Sequence, residues 1–278
     1  MLLSKPTHLA LSPLSPCRSS PKGNLLNVVC IKWGDKYPPY YVNRLHAGVR
    51  RGLDREFRFL CFTDEASGID PAVETHPLPI EPFEAEIVAA MQRQGRRGAW
   101  RKVSLFRPGL AGMSGQVLGF DLDVVITGAL DEIVDHAPDK VAMRREWRYE
   151  WRRKHGGHGS VFSFDPAQHS YLYDEFAADP AGSVERPRGR EQYFTSMTAL
   201  RHDQLAYLPG ELVCSFKRDA VHLPPLNFFL EPRLPKNCRV MCFHGEPKMD
   251  DVLPGYTGSI LHHSLPAPWL SELWAGGS

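Results

Sequence analysis

No run of about 20 apolar residues occurs in the 278-residue chain, so no segment reads as a bilayer-spanning helix. Excess charge of either sign is also missing. A formal charge of +1 and a pI near 7.7 argue against a general nucleic-acid or polyanion binder and make any basic function local. The six cysteines (Cys17, Cys30, Cys61, Cys214, Cys238 and Cys242) contain no pair at zinc-knuckle spacing. Cys30 and Cys61 lie inside apolar strand patterns, where a thiol acts as a small hydrophobe, so a reducing, cytoplasmic location is expected. Internal repeats and a second compositional regime are absent, which favours one domain. No carboxylate precedes Asp35, and residues 1–26 are rich in Ser and Pro, so this stretch is expected to be a disordered start to a domain spanning 27–265.

With 42% hydrophobic and 23% charged residues, the chain can bury a sizeable core. The ordered part opens with NVVCIKWGDKY (27–37), an apolar run that stops at Trp33-Gly34 as a buried parallel strand stops before a loop. Tyr41, Leu45 and Val49 then recur at helical spacing, and RFLCFTDE (58–65) is a second apolar run ending at Thr63-Asp64. Strand, helix, strand is the natural reading, with ligands gathering beyond the C-terminal strand ends. Further strands are expected at 141–145, 160–165 and 211–217, helices near 83–92, 129–136 and 168–177, and a polar loop at 181–190. The fold class expected is therefore α/β, a Rossmann-like mixed sheet flanked by helices. A tail, 266–278, carries Trp269, Leu270, Leu273 and Trp274 at helical spacing, which suits core packing or a peripheral membrane contact.

The strongest chemical signal is QVLGFDLDVVI (116–126), where Asp121 and Asp123 interrupt an apolar run. Each carboxylate costs several kcal/mol to bury unless a cation or hydrogen bonds compensate it. In a strand, residues i and i+2 share a side, and two carboxylates on one side of a strand end suit a hard divalent ion that also carries a phosphate. Further on, RVMCFHGEPKMDD (239–251) repeats the pattern of an apolar strand ending in polar chemistry. There His244 is followed by Gly245, which permits close backbone approach, and by Lys248, a mobile cation for a phosphate. Between these, Arg101 and Lys102 suit either a solvated surface or sugar and phosphate contacts. RREWRYEWRRK (144–154) interleaves cations with Trp147, Tyr149 and Trp151, which suits an exposed ion-paired helix or a stacking surface for an acceptor, and the HGGHG loop that follows offers His155 and His158.

FDLDVV, CFHGEPK and the order of elements together resemble the GT-A fold of nucleotide-sugar glycosyltransferases, most like glycosyltransferase family 8 and related bacterial proteins. That resemblance implies a single GT-A-like domain that moves a sugar from a nucleotide-sugar, a UDP-sugar by analogy, to a saccharide, lipid or protein acceptor. It also implies Mn²⁺ or Mg²⁺ held by Asp121, Asp123 and His244. By the resemblance Lys102, Asp121, Gly245 and Lys248 would contact the donor, joining Trp33, Gly34 and Asp64, which are nucleotide candidates from their place at strand ends, and Glu191 and Gln192 would stand where the family has an Asp-Gln pair near the reacting centre. The His-Gly-Glu-Pro-Lys spacing is shorter than the family's by two residues. Two alternatives share part of the pattern. One is a haloacid-dehalogenase-like, Mg²⁺-dependent phosphatase with Asp121 as nucleophile and Asp123 as acid. The other is a non-enzymatic carbohydrate- or RNA-binding protein using Trp147 to Trp151 and the cations among them.

Overall fold

The computed structural model describes residues 25–98, 100–150, 154–186 and 190–275. Strands follow the apolar runs. β1 (Leu26–Lys32) is buried almost throughout, as a central parallel strand must be. It leads through Trp33-Gly34 into α1 (Pro39–Gly52), which starts on a proline in its first turn and ends with Arg50 and Arg51 against the helix dipole. Tyr41, Val42, Leu45 and Val49 form its buried face. Next come β2 (Phe57–Thr63), β3 (Glu74–Pro77), α2 (Glu84–Arg93), β4 (Val117–Phe120), β5 (Val124–Ile126) and α3 (Asp131–Val134). The middle of the chain forms β6 (Val141–Arg145), β7 (Gly157–Phe164), α4 (Tyr171–Ala178), α5 (Pro180–Glu185) and α6 (Glu191–Arg201). The last part forms β8 (Leu205–Leu208), β9 (Val213–Ser215), β10 (Val240–Cys242), α7 (Met249–Val252) and α8 (Pro268–Leu270).

A seven-stranded sheet in the order β3-β2-β1-β4-β7-β6-β8 forms the centre, with helices packed around it, and a three-stranded sheet β5-β10-β9 stands beside it. β3, β2, β1 and β4 run parallel, and β7 pairs antiparallel with both β4 and β6. In the small sheet β10 pairs antiparallel with β5 and parallel with β9. The largest core cluster joins α1, the small sheet and the C-terminal segment, and a second fills the other face of the central sheet around Phe106, Phe162 and Phe164. A third gathers Phe83, Ile87, Trp100, Phe176 and Phe194 under α2, α4 and α6.

Several expectations need correction. Residues 116–126 do not form one strand: β4 ends at Phe120, β5 starts at Val124 in the other sheet, and Asp121-Leu122-Asp123 is the crossing between them. A shared side therefore cannot be inferred from the strand pleat. Part of the expected 181–190 loop is helical in α5, started by Pro180 and by the Asp179 carboxylate accepting from the Gly182 amide. β3 (ETHP) carries no apolar signal because it is an exposed edge strand, and β8, the other edge, is apolar (LAYL) but too short for its pattern to tell a strand from a buried helix segment. In the tail, Leu270 and Trp274 are buried in the main core and the Trp269 indole donates to the Pro232 carbonyl, so these side chains are not available to a membrane surface.

The basic-aromatic segment is not an exposed helix either. Arg144 is buried, donating to the Val213 carbonyl and pairing with Glu150, and Trp147 is buried beneath the site described next. Trp151, Arg152 and Arg153 lie outside the described residues, as do residues 1–24 of the expected disordered start.

Candidate active site

Crossing from one sheet to the other puts the acidic pair at the floor of a cavity of about 710 Å³, within the range of small-molecule sites. Trp33, Gly34, Lys102, Asp121, Asp123, Glu191, Gln192 and His244 all line it. Asp64, Gly245 and Lys248 do not, but each touches a residue of the site or sits beside one. The Asp64 carboxylate accepts from the Gly34 amide at 2.8 Å, and so holds the turn at the end of β1, where Gly34 has φ of +60°. Lys248 pairs with Asp123. Gly245, at φ +71°, lies beneath the Lys217 ammonium, which is 3.1 Å from where a side chain would begin.

Each carboxylate of the pair has its own lysine. Lys102 Nζ lies 2.6 Å from Asp121 Oδ1 and donates to the Gly159 carbonyl at 2.7 Å. The lysine is carried on a short 3₁₀ turn, Arg101–Phe106, entered through Trp100 in the left-handed region at φ 46°. That conformation is costly for a large residue and persists because the indole is buried against Phe176, with ring centres 5.4 Å apart. Gly159 leaves room for the lysine, whose Nζ would be 3.3 Å from an added Cβ. Ser160 Oγ donates to the other Asp121 oxygen at 3.1 Å. Burial works against both charges, but Lys102 overrides it for Asp121, whose carboxyl is held below its usual range, and Asp121 and Glu191 override it for Lys102, which is held above.

Asp123 behaves differently. Its Oδ2 accepts from Lys248 Nζ and from the Tyr37 hydroxyl at 3.1 Å, yet burial and the neighbouring Asp121 charge hold its carboxyl above the ordinary value. Its carbonyl accepts from the Phe243 amide at 2.8 Å, so β10 delivers His244 next to the acidic crossing. His244 stacks on Trp147 with ring centres 4.7 Å apart, and its Nε2 lies 2.8 Å from Ser215 Oγ. Burial, then Lys217 and Arg218, bring its imidazole down to about 4, so it is neutral at physiological pH. His158 meets Trp147 edge-on at 4.6 Å and is brought down to about 3 by burial and by His244. Glu191 accepts from the Val103 amide at 2.9 Å, and burial pushes its carboxyl up to about 7. Gln192 accepts from the Gly159 amide and donates to Glu146, both at 3.2 Å.

Two carboxylates and a neutral imidazole facing one cavity are the donor types a hard divalent ion takes, so the residues fit such an ion in kind. As the side chains stand, each carboxylate engages a lysine, and among the described residues no three His, Cys, Asp or Glu side chains are arranged to hold a metal. Sequence reasoning missed Tyr37, Ser215, Trp147 as a support for His244, and the basic rim. Among the described residues cations outnumber carboxylates eight to five along the cavity, including Arg97, Arg148, Arg190 and Arg218. They come from separate loops, so no run in the chain announces them.

No family model matches the sequence, and no curated protein matches it. Solved structures do match in shape. The galactosyltransferase LgtC, in complex with donor and acceptor sugar analogs, superposes with a TM-score of 0.55 at 13% identity, covering 90% of this chain and 95% of that one. An active-site mutant of LgtC gives 0.54 at 14% identity, covering 80% and 89%. At such identity the likeness concerns the backbone alone. The mixed α/β sheet, its order of elements and these neighbours show that this chain has the GT-A glycosyltransferase fold.

Proposed function

We propose that the protein is a glycosyltransferase that moves a sugar from a UDP-sugar to an acceptor hydroxyl with help from Mn²⁺ or Mg²⁺. The observation that carries this reading is the meeting of Asp121, Asp123 and His244, which are far apart in sequence, at one cation-rich cavity in a GT-A fold. LgtC, which shares the fold, is a galactosyltransferase seen with donor and acceptor sugar analogs, and that supports a nucleotide-sugar here.

Asp121, Asp123 and His244 would hold the ion, which as a Lewis acid neutralises charge on a departing diphosphate. The chain's own residues do the rest. Lys248 and Lys217 are mobile cations beside Gly245 and His244, placed for phosphate oxygens once Lys248 leaves Asp123. Trp33, exposed at the cavity mouth with the Arg101 guanidinium 5.8 Å from its ring centre, offers a face for a base. Lys102, Gln192 and Glu191 also line the cavity, and there the sugar would sit and an acceptor hydroxyl would be positioned.

The test is release of UDP from a panel of UDP-sugars, together with the shift in melting temperature on adding UDP with Mn²⁺ or with EDTA. The expected outcome is a rise that needs the metal, and turnover of at least one donor. No shift and no UDP release with any donor would remove the reading. The phosphatase alternative fits less well, since the acidic pair follows the fourth strand and not the first. The binding-protein alternative loses Trp147 as a stacking face, since that indole is buried.

A further inference from the structure

Among the described residues, seven of the eleven exposed large apolar side chains come from two loops: Leu223, Leu226, Phe228, Phe229 and Leu230 from one, and Ile260 and Leu261 from the other. Leu223, Phe229, Ile260 and Leu261 are 81%, 75%, 71% and 67% exposed, as free as side chains in an open chain. The loops are nevertheless fixed to each other. Buried Asn227 donates to the Ile260 and His263 carbonyls at 2.8 and 3.1 Å, and Phe228 stacks on His263 with ring centres 4.2 Å apart. The apolar tips therefore form one surface and are held outward.

Charge is arranged around this lip and not within it. No Asp, Glu, Lys or Arg lies between Asp219 and Glu231, or between Asp251 and Glu272. At the base of the first loop, the turn Phe216–Ala220 carries Lys217 and Arg218, while the one acid there, Asp219, accepts from the Ser215 amide at 2.6 Å. Lys217 and Arg218 act electrostatically on His262 in the second loop and on His244 in the cavity, and Arg218 lines the cavity itself. The turn that opens the first loop thus carries cations that reach the cavity, Arg218 in its lining and Lys217 over Gly245.

We infer that this lip docks on the surface of an anionic lipid bilayer, with its aliphatic and phenyl tips in the interfacial layer and Lys217 and Arg218 at the level of the headgroups. Contiguous exposed apolar surface marks an interaction site. A protein partner needs about one hydrogen bond per 100–200 Å² of interface, whereas the seven outward side chains of the lip are Leu, Ile and Phe and carry no polar group, and the amide nitrogen of buried Asn227 is used between the loops. A lipid interface asks for apolar tips flanked by cations, as here. Docking in this pose would hold the cavity at the membrane, so that the acceptor is lipid-borne; this last step, unlike the docking, rests on the transferase reading.

Flotation of the full chain with vesicles tests the docking without donor or turnover. Binding is expected to vesicles of phosphatidylcholine mixed with phosphatidylglycerol, to weaken with salt, and to be much poorer for phosphatidylcholine alone. The double variant Phe229→Ser, Ile260→Ser should weaken it by about tenfold or more while melting at the temperature of the parent, since both side chains are solvated. Three results would each overturn the inference: no binding to either vesicle, equal binding by parent and variant, or a parent dimer in light scattering that the same substitutions dissociate, which would make the occupant a second copy. If vesicles bind but no UDP-sugar is turned over, the transferase reading fails and the docking stands.

Discussion

The two lysine-carboxylate pairs at the cavity floor lie two residues apart in sequence and are built on opposite terms. On the side of the central sheet, Lys102, Ser160 and Asp121 form a pair in which the carboxyl is more acidic than usual, so its charge stabilises the fold. On the side of the small sheet, Asp123 has Lys248 and Tyr37 and is still held less acidic than usual, because burial and Asp121 outweigh them. The side chains of the Asp123 pair are 15% and 12% exposed against 26% and 32% for the Asp121 pair, so the more buried charge is the worse compensated one. A carboxylate held in a cavity where its charge costs stability is a candidate for function and not for structure alone.

Exchanging each carboxylate for its amide breaks the comparison most directly. Asp123→Asn should lower turnover of a UDP-sugar by about a hundredfold or more, equivalent to roughly 2.7 kcal/mol of barrier, while leaving the melting temperature unchanged or raised. The sign follows from linkage: a carboxyl raised in the folded state gives stability that is present below its unfolded pKa and is lost as pH rises through the folded one. Asp121→Asn should instead destabilise the protein by about 1–3 kcal/mol near neutral pH in urea unfolding, since its pair is partly screened by water. In the parent that contribution is present above the unfolded pKa and is lost as pH falls through the depressed folded value. Equal losses of stability for the two amides would show that the pairs are alike after all.

Glu191 sharpens the same contrast on the Lys102 side. Burial raises its carboxyl from 4.5 to about 7, so the stability it gives is full below the lower value and fades through the upper one. Glu191→Gln should therefore flatten the dependence of unfolding free energy on pH across that window, and above it stabilise the protein by about 1–2 kcal/mol. A variant that tracks the parent at every pH would place the carboxyl in water. The smallest effect is expected from Tyr37→Phe, which removes one hydrogen bond to Asp123 at a cost of about 1 kcal/mol in the unliganded protein, read from the urea midpoint.

Most of the central fold was legible in the chain because buried strands carry apolar patterns: β1 and β2 stand out as the near-continuous runs of parallel strands, β6 as an apolar run ending in charge and antiparallel β7 by its alternation, as does α1 by its helical spacing. β3 did not, since an exposed edge strand needs little apolar character, and β8 did not, since four apolar residues alone do not distinguish a strand from a helix. At the site, the acidic pair was visible as charge intruding on a strand, and His244 as polar chemistry at a strand end. By itself, then, the sequence determined an α/β domain with carboxylates and a histidine at strand ends. Tertiary structure alone decided that Asp121 and Asp123 straddle two sheets, that Lys102 comes from 19 residues upstream of one and Lys248 from 125 downstream of the other, and that Trp147 lies under His244. It also decided that Trp274 is buried while Phe229 is exposed. The physical reason is that local pattern specifies which face of an element is apolar, whereas the field at a carboxylate and the cover over an aromatic depend on which distant segments pack against them.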